Sequence, residues 1–497
     1  MDLQNQVSAP LPKMEKSYEA ETLVAIKSAK DIAASGNLLG AIEHLLVLEK
    51  KSRKSADVAS NSKILETVVE MCFDAKNWTV LCEQLEFLSS THGQLDHSVT
   101  AMVKKAMVYL DQTPDIDTKI QYMTALRKIT EGKMMTEAER IYLTRGLCGI
   151  YENMGKIEEA NEVLQEDQIE TFGSLDKRTK VDFILEQMRL CLLTGDYSRF
   201  MIVCNKINTQ YFKEEGTTDL KVRYYDLTIQ YGIHEQKYLD VSRYYYQLYT
   251  TDAISLNPNI WPDILNRLVL FCVMAKYDNE QSDMLNRLIA LENIDKLPQC
   301  AEFAKLFSEK KLISWNVLLE EYQKFVFSDY SENYKKYIES ESGSESQLFN
   351  KKKQNDQEGD NNDGNQLEIV ELQSSKVPIF DKQTEYGKNH ISVLKNRVME
   401  HNIRVIALYY NRISLKRISE LVGMPLEETE SKLCSLVVDG LVYAKIDRPN
   451  QIVNFLKKKT VSESLDIWVS DVNNLLGLVE KTTHLIEKEN ILYKISH

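Results

Sequence analysis

The sequence predicts a mainly α-helical protein: a TPR/HEAT-like solenoid of stacked helix pairs, then a winged-helix module, then one long C-terminal helix. Three observations predict this fold class. The 497 residues include only 9 prolines and 18 glycines, and long stretches place apolar residues three or four positions apart. A local pattern recurs about every 40 residues. After residue 388 the sequence pattern changes to that of two short helices and two strands in which apolar and polar residues alternate.

The recurrent pattern is a small or polar turn followed by a large apolar residue and a helix. Successive anchor residues are 40, 38, 41, 40, 41 and 39 positions apart. These anchors are Leu38, Trp78, Ile116, Ile157, Tyr197, Tyr238 and Tyr277. A period near 40 is typical of one helix–turn–helix unit that buries its apolar face only by stacking on its neighbours. We therefore expect residues 1–339 to form the solenoid.

Composition sets the broad class of protein. The chain is 43% hydrophobic and 27% charged, which suffices for a packed core, and its formal net charge is −13. That charge disfavours extended contact with nucleic acid or anionic lipid. The longest apolar run, Leu268 to Ala275, is too short to span a bilayer. Eight dispersed cysteines and the absence of an apolar leader predict a reducing compartment, the cytoplasm and the nucleus.

Residues 340–388 interrupt the helical pattern. The segment 340–366 consists almost wholly of Ser, Asn, Gln, Asp, Glu, Lys and Gly, with Leu348 and Phe349 as its large apolar residues. Such a composition buries too little surface to offset the entropy of ordering. We interpret the segment as a disordered insertion or linker; a phosphorylated or partner-binding tail is the alternative.

Residues 389–459 carry the pattern of a winged helix. A helix is followed by a short helix that begins after Ser414 and stops at Gly423. A second helix runs from Pro425 to Gly440, and two alternating segments joined by Arg448-Pro449-Asn450 predict a β-hairpin. So small a module should pack against the last helices of the solenoid.

Winged helices often bind DNA, but the charges of this one favour a protein partner. The helix that would read the groove opens with Glu427, Glu428 and Glu430, which repel phosphates. Basic residues are scattered rather than gathered on this helix. The sequence favours protein partners over nucleic acid.

Residues 460–497 predict one long helix, opened by a Thr460/Glu463 capping box. An apolar seam follows alternating spacings of three and four: Leu465, Trp468, Val472, Leu475, Val479 and Ile486. The seam is longer than the winged helix could cover, so we expect it to pack against helices of other chains. The alternative is packing on its own domain, which could involve only the first turns.

The sequence offers no candidate catalytic residue, metal ligand set or cofactor motif. His234-Glu235-Gln236-Lys237-Tyr238 lacks the second histidine that a helical zinc motif requires. No Cys-x-x-Cys, phosphate-binding glycine loop or nucleophile elbow is present. His401, in the sequence Glu400-His401-Asn402, is expected to be a structural hydrogen-bonding residue. We expect a protein that is not an enzyme.

Three segments carry a resemblance to a known family. They are LKNRVMEHNIRVIALYYNRISLKRISELV from Leu394, VYAKIDRPNQIVNF from Val442 and LLGLVEKTTHLIEKE from Leu475. Together with the helical array, they resemble the PCI family, whose modules are shared by the proteasome lid, the COP9 signalosome and a translation initiation complex. The similarity is greatest to the lid members, and residues 340–388 depart from the family pattern.

The resemblance implies a non-catalytic scaffold subunit of a hetero-oligomer. Implied partners are other PCI-type lid subunits, the lid deubiquitinase subunit, the proteasome ATPase ring and the core particle, with no nucleic acid, membrane or cofactor. A signalosome subunit, or an initiation subunit that contacts RNA, is the alternative. The expected lateral contact is strand addition along one edge of the wing, either 441–446 or 451–456. The candidate residues are Leu441, Val442, Tyr443, Ile446, Ile452, Val453 and Phe455.

Overall fold

A computed structural model describes residues 18–34, 37–173, 175–214, 216–255, 260–322, 379–380, 385–456 and 461–496. The chain divides into two compact units, the first ending at Glu235 and the second beginning at Gln236. Most of the predicted linker 340–388 and Thr460 of the predicted capping box lie outside the described residues. No described helix is both long enough and apolar enough to cross a membrane.

The described part of the first unit is a succession of antiparallel helices. Its α-helices are α1 (Glu19–Ala34), α2 (Leu38–Lys54), α3 (Val58–Asp74), α4 (Trp78–Ser90), α5 (Asp96–Val108), α6 (Ile116–Thr130), α7 (Glu137–Asn153), α8 (Ile157–Gln165), α9 (Lys177–Thr194), α10 (Tyr197–Cys204) and α11 (Thr218–His234). Short 3-10 turns join several of them. Each helix packs on helices one or two positions away along the chain, as α1 does on α2, α3 on α5 and α4 on α6. Contacts confined to near neighbours in sequence are the pattern of a solenoid.

The anchor residues predicted from the sequence are helix starts. Five of them are the first residues of α2, α4, α6, α8 and α10, and Tyr238 likewise begins a helix of the second unit. The seventh, Tyr277, lies two positions before a helix that begins at Asn279. The predicted repeat is therefore confirmed as a series of helix pairs.

Local backbone conformation explains the turn before four of the seven anchors, Trp78, Ile157, Tyr197 and Tyr238. The residue two positions before the anchor is left-handed at Lys76 (φ 53°), Gly155 (φ 78°), Gly195 (φ 75°) and Gln236 (φ 58°). A left-handed residue ends the preceding helix and reverses the chain. The next residue can then cap the new helix: the side chain of Asn77 accepts from the Val80 N–H.

Side-chain bonds between residues one repeat apart tie neighbouring helix pairs together. Arg127 donates to Glu166 at 2.9 Å, and Arg189 donates to Glu152 at 2.7 Å. A continuous series of ion pairs crosses α7, α9 and α11 through Arg145, Asp182, Arg223, Glu186, Arg189 and Glu152. The paired arginines hold the pKa of Glu186 below its usual range against the effect of burial. Such links require the helix pairs to stack in register.

The second unit contains the remaining described elements. Its α-helices are α12 (Tyr238–Tyr249), α13 (Asp252–Ser255), α14 (Trp261–Met274), α15 (Asn279–Ile289), α16 (Pro298–Ser308), α17 (Trp315–Glu321), α18 (Glu385–Tyr409), α19 (Leu415–Val422), α20 (Leu426–Val438) and α21 (Val461–Ser496). Its strands are β1 (Arg412–Ser414), β2 (Ala444–Asp447) and β3 (Ile452–Phe455). Helix α14 is the most deeply buried of these helices, with every side chain from Ile264 to Met274 in the core.

The winged helix has the predicted elements. The Ser414 hydroxyl caps α19 by accepting from the Arg417 N–H at 3.4 Å, and Gly423 ends that helix with a left-handed φ of 75°. Helices α18, α19 and α20 and the three strands enclose an apolar core that includes Ile403, Ile418, Leu433 and Val453. The long helix predicted to begin near residue 389 begins four residues earlier, at Glu385.

Candidate functional site

The winged helix is joined to the end of the helical array by polar contacts of α18. The side chain of Asn402 forms two hydrogen bonds with the backbone of Ile313, both 2.8 Å long. Arg397 Nε donates to the Met274 carbonyl at 3.1 Å, and Lys276 pairs with Asp439 at 3.0 Å. Packing of the winged helix on the last helices of the solenoid was predicted and is confirmed.

His401 lies in the same contact. Its Nε2 is 3.0 Å from the Lys311 carbonyl oxygen, so the ring donates a proton there. Burial lowers the pKa of His401 to about 4, while the bond to Lys311 opposes that shift. A neutral imidazole fixed by a backbone carbonyl is a structural hydrogen-bonding residue, as the sequence predicted.

The three strands form a sheet in the order β1-β3-β2, with both pairs antiparallel. Strand β3 is therefore the middle strand, and β2 and β1 are the edges of the described sheet. This order decides between the two predicted wing edges. The segment 451–456 cannot accept another strand, because β1 and β2 already occupy both of its sides.

Three of the predicted edge residues belong instead to the core. Val453, Phe455 and Val442 are buried within the winged helix, and Ile452 lies on the same central strand. Leu441, Val442 and Tyr443 precede β2 rather than lie in it. Of the two alternatives, the edge at Ile452, Val453 and Phe455 was wrong, because alternation alone does not reveal which hairpin strand a third strand will cover. Of the predicted set, Ile446 lies on the edge strand.

The backbone hydrogen bonds of β2 show which of its N–H and C=O groups face away from β3. The Leu456 N–H donates to the Tyr443 carbonyl at 2.7 Å, so Tyr443 faces β3. The backbone N–H and C=O groups of successive residues point to opposite sides of an antiparallel strand. The backbone groups of Lys445 and Asp447 therefore also face β3, whereas those of Ala444 and Ile446 face outwards. The outward N–H and C=O groups of Ala444 and Ile446 are available to a partner strand.

The face that a DNA-binding winged helix would use is acidic. Glu427 and Glu428 lie in the first turn of α20, and Glu430 forms an ion pair with Arg448 of the hairpin at 2.7 Å. The arginine at the tip of the wing is thus neutralised by the neighbouring helix. This geometry fits protein contacts better than phosphate contacts.

The C-terminal helix α21 is exposed along its described length. All six seam residues are exposed, with Trp468 at 66% and Leu475 at 61%. The alternative that the first turns pack on their own domain is contradicted, because Val461 and Leu465 are also exposed. That partner helices cover this seam stays a prediction.

A second apolar stripe on α21 was missed at the level of sequence. Ile467, Leu478, Leu485 and Leu492 are all exposed. With a rotation of 100° per residue, these four side chains point about 100–140° away from the mean direction of the seam. Polar residues such as Asp471 and Glu489 lie between the two stripes. The seven-residue spacing of the three leucines was the available signal. Two stripes predict contact with more than one partner helix.

Comparison with known families covers both units. Residues 40–257 match the family described as PSMD12/CSN4, N-terminal, and residues 357–457 match the PCI domain. Residues 462–494, nearly all of α21, match the 26S proteasome regulatory subunit RPN5 C-terminal domain. The wing and the tail helix thus each lie within a matched family region.

Individual relatives extend over almost the entire chain. The 26S proteasome regulatory subunit rpn501 of Schizosaccharomyces pombe is 36% identical over 97% of this chain and 98% of its own. RPN5 of Saccharomyces cerevisiae is 34% identical over 93% of this chain and 94% of its own. COP9 signalosome complex subunit 4 of Caenorhabditis elegans is only 19% identical over 68% of this chain and 69% of its own. The chain belongs to the PCI-domain family of 26S proteasome regulatory subunits that includes RPN5 and non-ATPase regulatory subunit 12.

Proposed function

We propose that this chain is a non-catalytic scaffold subunit of the lid of the 26S proteasome regulatory particle. In that role it supports lid assembly and thereby the ATP-dependent degradation of ubiquitinated proteins. The relatives named as 26S proteasome regulatory subunits match 93–97% of its length, and the signalosome relatives are much more distant. The described residues contain no group of three or more His, Cys, Asp or Glu side chains that could hold a metal ion.

The observation that carries this proposal is the exposure of α21. Its apolar seam has the composition of a buried helix, yet nothing in the described chain covers it. Each large apolar side chain contributes about 1.5–3 kcal/mol when it is removed from water. An exposed apolar surface of this size is typical of an interaction site, and we assign its partners to other chains of the assembly.

The open edge of β2 supplies a second type of contact. A strand from a neighbouring PCI-type subunit can add to Ala444 and Ile446 while the tail helix joins helices of several subunits. We propose as partners the other PCI-type lid subunits and the lid deubiquitinase, and, through the assembled lid, the ATPase ring and the core particle. A cytoplasmic and nuclear location accords with eight free cysteines.

The direct test is to remove residues 461–497 and follow two properties of the variant. Thermal unfolding of the truncated chain should match that of the full chain, because α21 adds little to the fold of this polypeptide alone. Incorporation into lid, measured by co-purification of the other lid subunits, should be lost. Normal incorporation of the truncated chain would contradict the proposal.

A pair of substitutions isolates the seam. Leu475→Asp combined with Val479→Asp places two charges on the seam and should abolish most incorporation. The matched control, Ser470→Asp with Asn473→Asp, adds the same charge to the polar face of α21 and should assemble normally. Equal loss in both pairs would show that charge on the helix, rather than burial of the seam, is responsible.

A further inference from the structure

The second unit contains a cavity that the proposed scaffold role does not use. It has a volume of about 250 Å³ and lies between α14–α15, the end of α16 and the inner face of α18. Its polar lining includes Arg397, Glu400 and Arg404 from α18, Ser282 and Asn286 from α15, and Ser308, Glu309 and Lys310 from the end of α16. A cavity with several converging polar groups is the usual form of a small-ligand site.

The charges in this cavity do not balance. Glu400 forms its ion pair with Arg397 at 2.6 Å, and Glu309 pairs with Lys311 at 2.7 Å, so both lining carboxylates are already engaged. Arg404 and Lys310 form no ion pair within the described part of the chain. The cavity therefore holds two cationic groups that lack a dedicated carboxylate.

Arg404 is the more constrained of the two cations. Its guanidinium carbon lies 3.3 Å from the centre of the Tyr277 ring, which fixes the side chain over one wall of the cavity. Its Nε atom is buried and has no hydrogen-bond partner among the described residues. Burial lowers the pKa of Arg404, and nearby Tyr277 and Glu400 offset only part of that effect. A half-buried guanidinium with no carboxylate bonded directly to it is costly, and an anion bound beside it reduces that cost.

We propose that this cavity is a binding site for a small oxyanion, a phosphate or carboxylate group, held by Arg404 and Lys310. The guanidinium supplies a fixed fork of donors, and Lys310, which is exposed at the rim, supplies a mobile charge. The Ser308 hydroxyl donates to Asn286 Oδ1 at 3.4 Å, which leaves the Asn286 NH2 group and the Ser282 hydroxyl to complete the donor set. The volume admits a phosphorylated small molecule or an acidic side chain, and excludes a nucleic-acid strand.

The site lies where the winged helix joins the helical array. Two of the lining residues, Arg397 and His401, also bond to the backbone at Met274 and Lys311. An anion on Arg404 would link α15 and α16 to α18 and strengthen that junction. Binding is therefore expected to raise the thermal stability of the isolated full-length chain, irrespective of its assembly into a complex.

The test is thermal unfolding of the full-length chain in inorganic phosphate or in acetate, with ionic strength held constant by sodium chloride. Unfolding temperature should rise and saturate with one of the two anions. The saturating anion identifies the chemistry as phosphate or carboxylate. Arg404→Gln should abolish the effect, and Lys310→Ala should weaken the apparent affinity about tenfold, the factor that corresponds to one charged contact.

Arg417→Gln is the matched control, because it removes an exposed arginine that pairs with Glu420 on α19. It should respond to the anion as the unmodified chain does. The proposal is overturned if neither anion stabilises the chain beyond chloride, or if Arg404→Gln responds undiminished. Should Arg404→Gln fail to fold, the exposed Lys310→Ala variant decides: an unchanged apparent affinity overturns the proposal.

Discussion

Asn402 binds both backbone groups of Ile313, a residue 89 positions earlier in the chain, with its Oδ1 accepting from the N–H and its Nδ2 donating to the carbonyl. Both bonds are 2.8 Å long, and both residues are buried. The asparagine thus satisfies a segment of irregular backbone between α16 and α17. It is the central polar link between the winged helix and the end of the helical array.

Replacing Asn402 by Ala should leave the N–H and C=O of Ile313 buried and unpaired. We expect a loss of about 2–4 kcal/mol in the free energy of unfolding, measured by urea denaturation, since each orphaned group costs about 1–3 kcal/mol. Asn389→Ala is the matched control, because Asn389 is exposed on the same helix, and its effect should be near zero. A loss below about 1 kcal/mol for Asn402→Ala would contradict the assigned role.

His401 should make stability depend on pH. Its folded-state pKa is about 4, below the ordinary value of 6.5, so the unfolded chain binds a proton more readily. The contribution of His401 to the free energy of unfolding is fully present above pH 6.5 and decreases as the pH falls towards 4. His401→Gln retains a donor for the Lys311 carbonyl but has no titrating ring, so the variant should lose this pH-dependent part of the stability. We expect the unmodified chain to lose about 2 kcal/mol more than the variant between pH 7 and 5. Parallel pH profiles for the two proteins would refute the assignment.

The buried pair Arg140–Asp167 should contribute strongly to the fold of the first unit. Arg140 Nε lies 2.6 Å from Asp167 Oδ1, and the Thr144 hydroxyl donates to Asp167 Oδ2 at 2.6 Å. Asp167→Ala leaves a buried guanidinium without its carboxylate, which costs about 3–5 kcal/mol. Asp283→Ala is the control: it breaks the exposed pair with Arg287 and should cost less than about 1 kcal/mol. Similar losses in the two variants, measured by denaturant unfolding, would show that burial does not matter here.

The left-handed turn residues should respond to substitution in opposite directions. Lys76 is exposed and has a φ of 53°, so Lys76→Gly should raise stability by about 1 kcal/mol by relieving the steric cost of that conformation. Gly155 has a φ of 78°, and Gly155→Ala should lower stability by about the same amount. Calorimetric unfolding temperatures of both variants test the pair. A destabilising Lys76→Gly would mean that the lysine side chain has a further role.

The edge strand β2 should be needed for lateral assembly. Ile446→Pro removes an N–H group that faces away from β3 and so leaves the β2–β3 hydrogen bonds in place. Co-purification of neighbouring lid subunits should fall, with only a modest decrease in the thermal stability of the isolated chain. Ile446→Val keeps the N–H and should assemble normally. Undiminished co-purification with the proline variant would exclude strand addition at this edge.

Local sequence features determined the helical array. The turn, the cap and the apolar anchor lie within a few residues of one another, so Trp78 and Tyr197 could be identified as helix starts without any tertiary information. The same holds for the cap at Ser414 and the stop at Gly423, which depend on one side-chain bond and one left-handed residue. Features of this kind depend only on residues that are close together in the chain, so the sequence predicts them without knowledge of the tertiary structure.

Long-range pairing decided the rest. Which hairpin strand is covered depends on β1, which lies about 40 residues before β3, and alternating side chains do not encode that choice. The partners of Asn402 and the unbalanced charge on Arg404 likewise arise only when α18 packs on α14–α17. The sequence alone therefore determined the repeat, the winged helix and the apolar seam of α21. Only the tertiary structure showed which edge and which cavity remain open, because those depend on contacts between residues far apart in the chain.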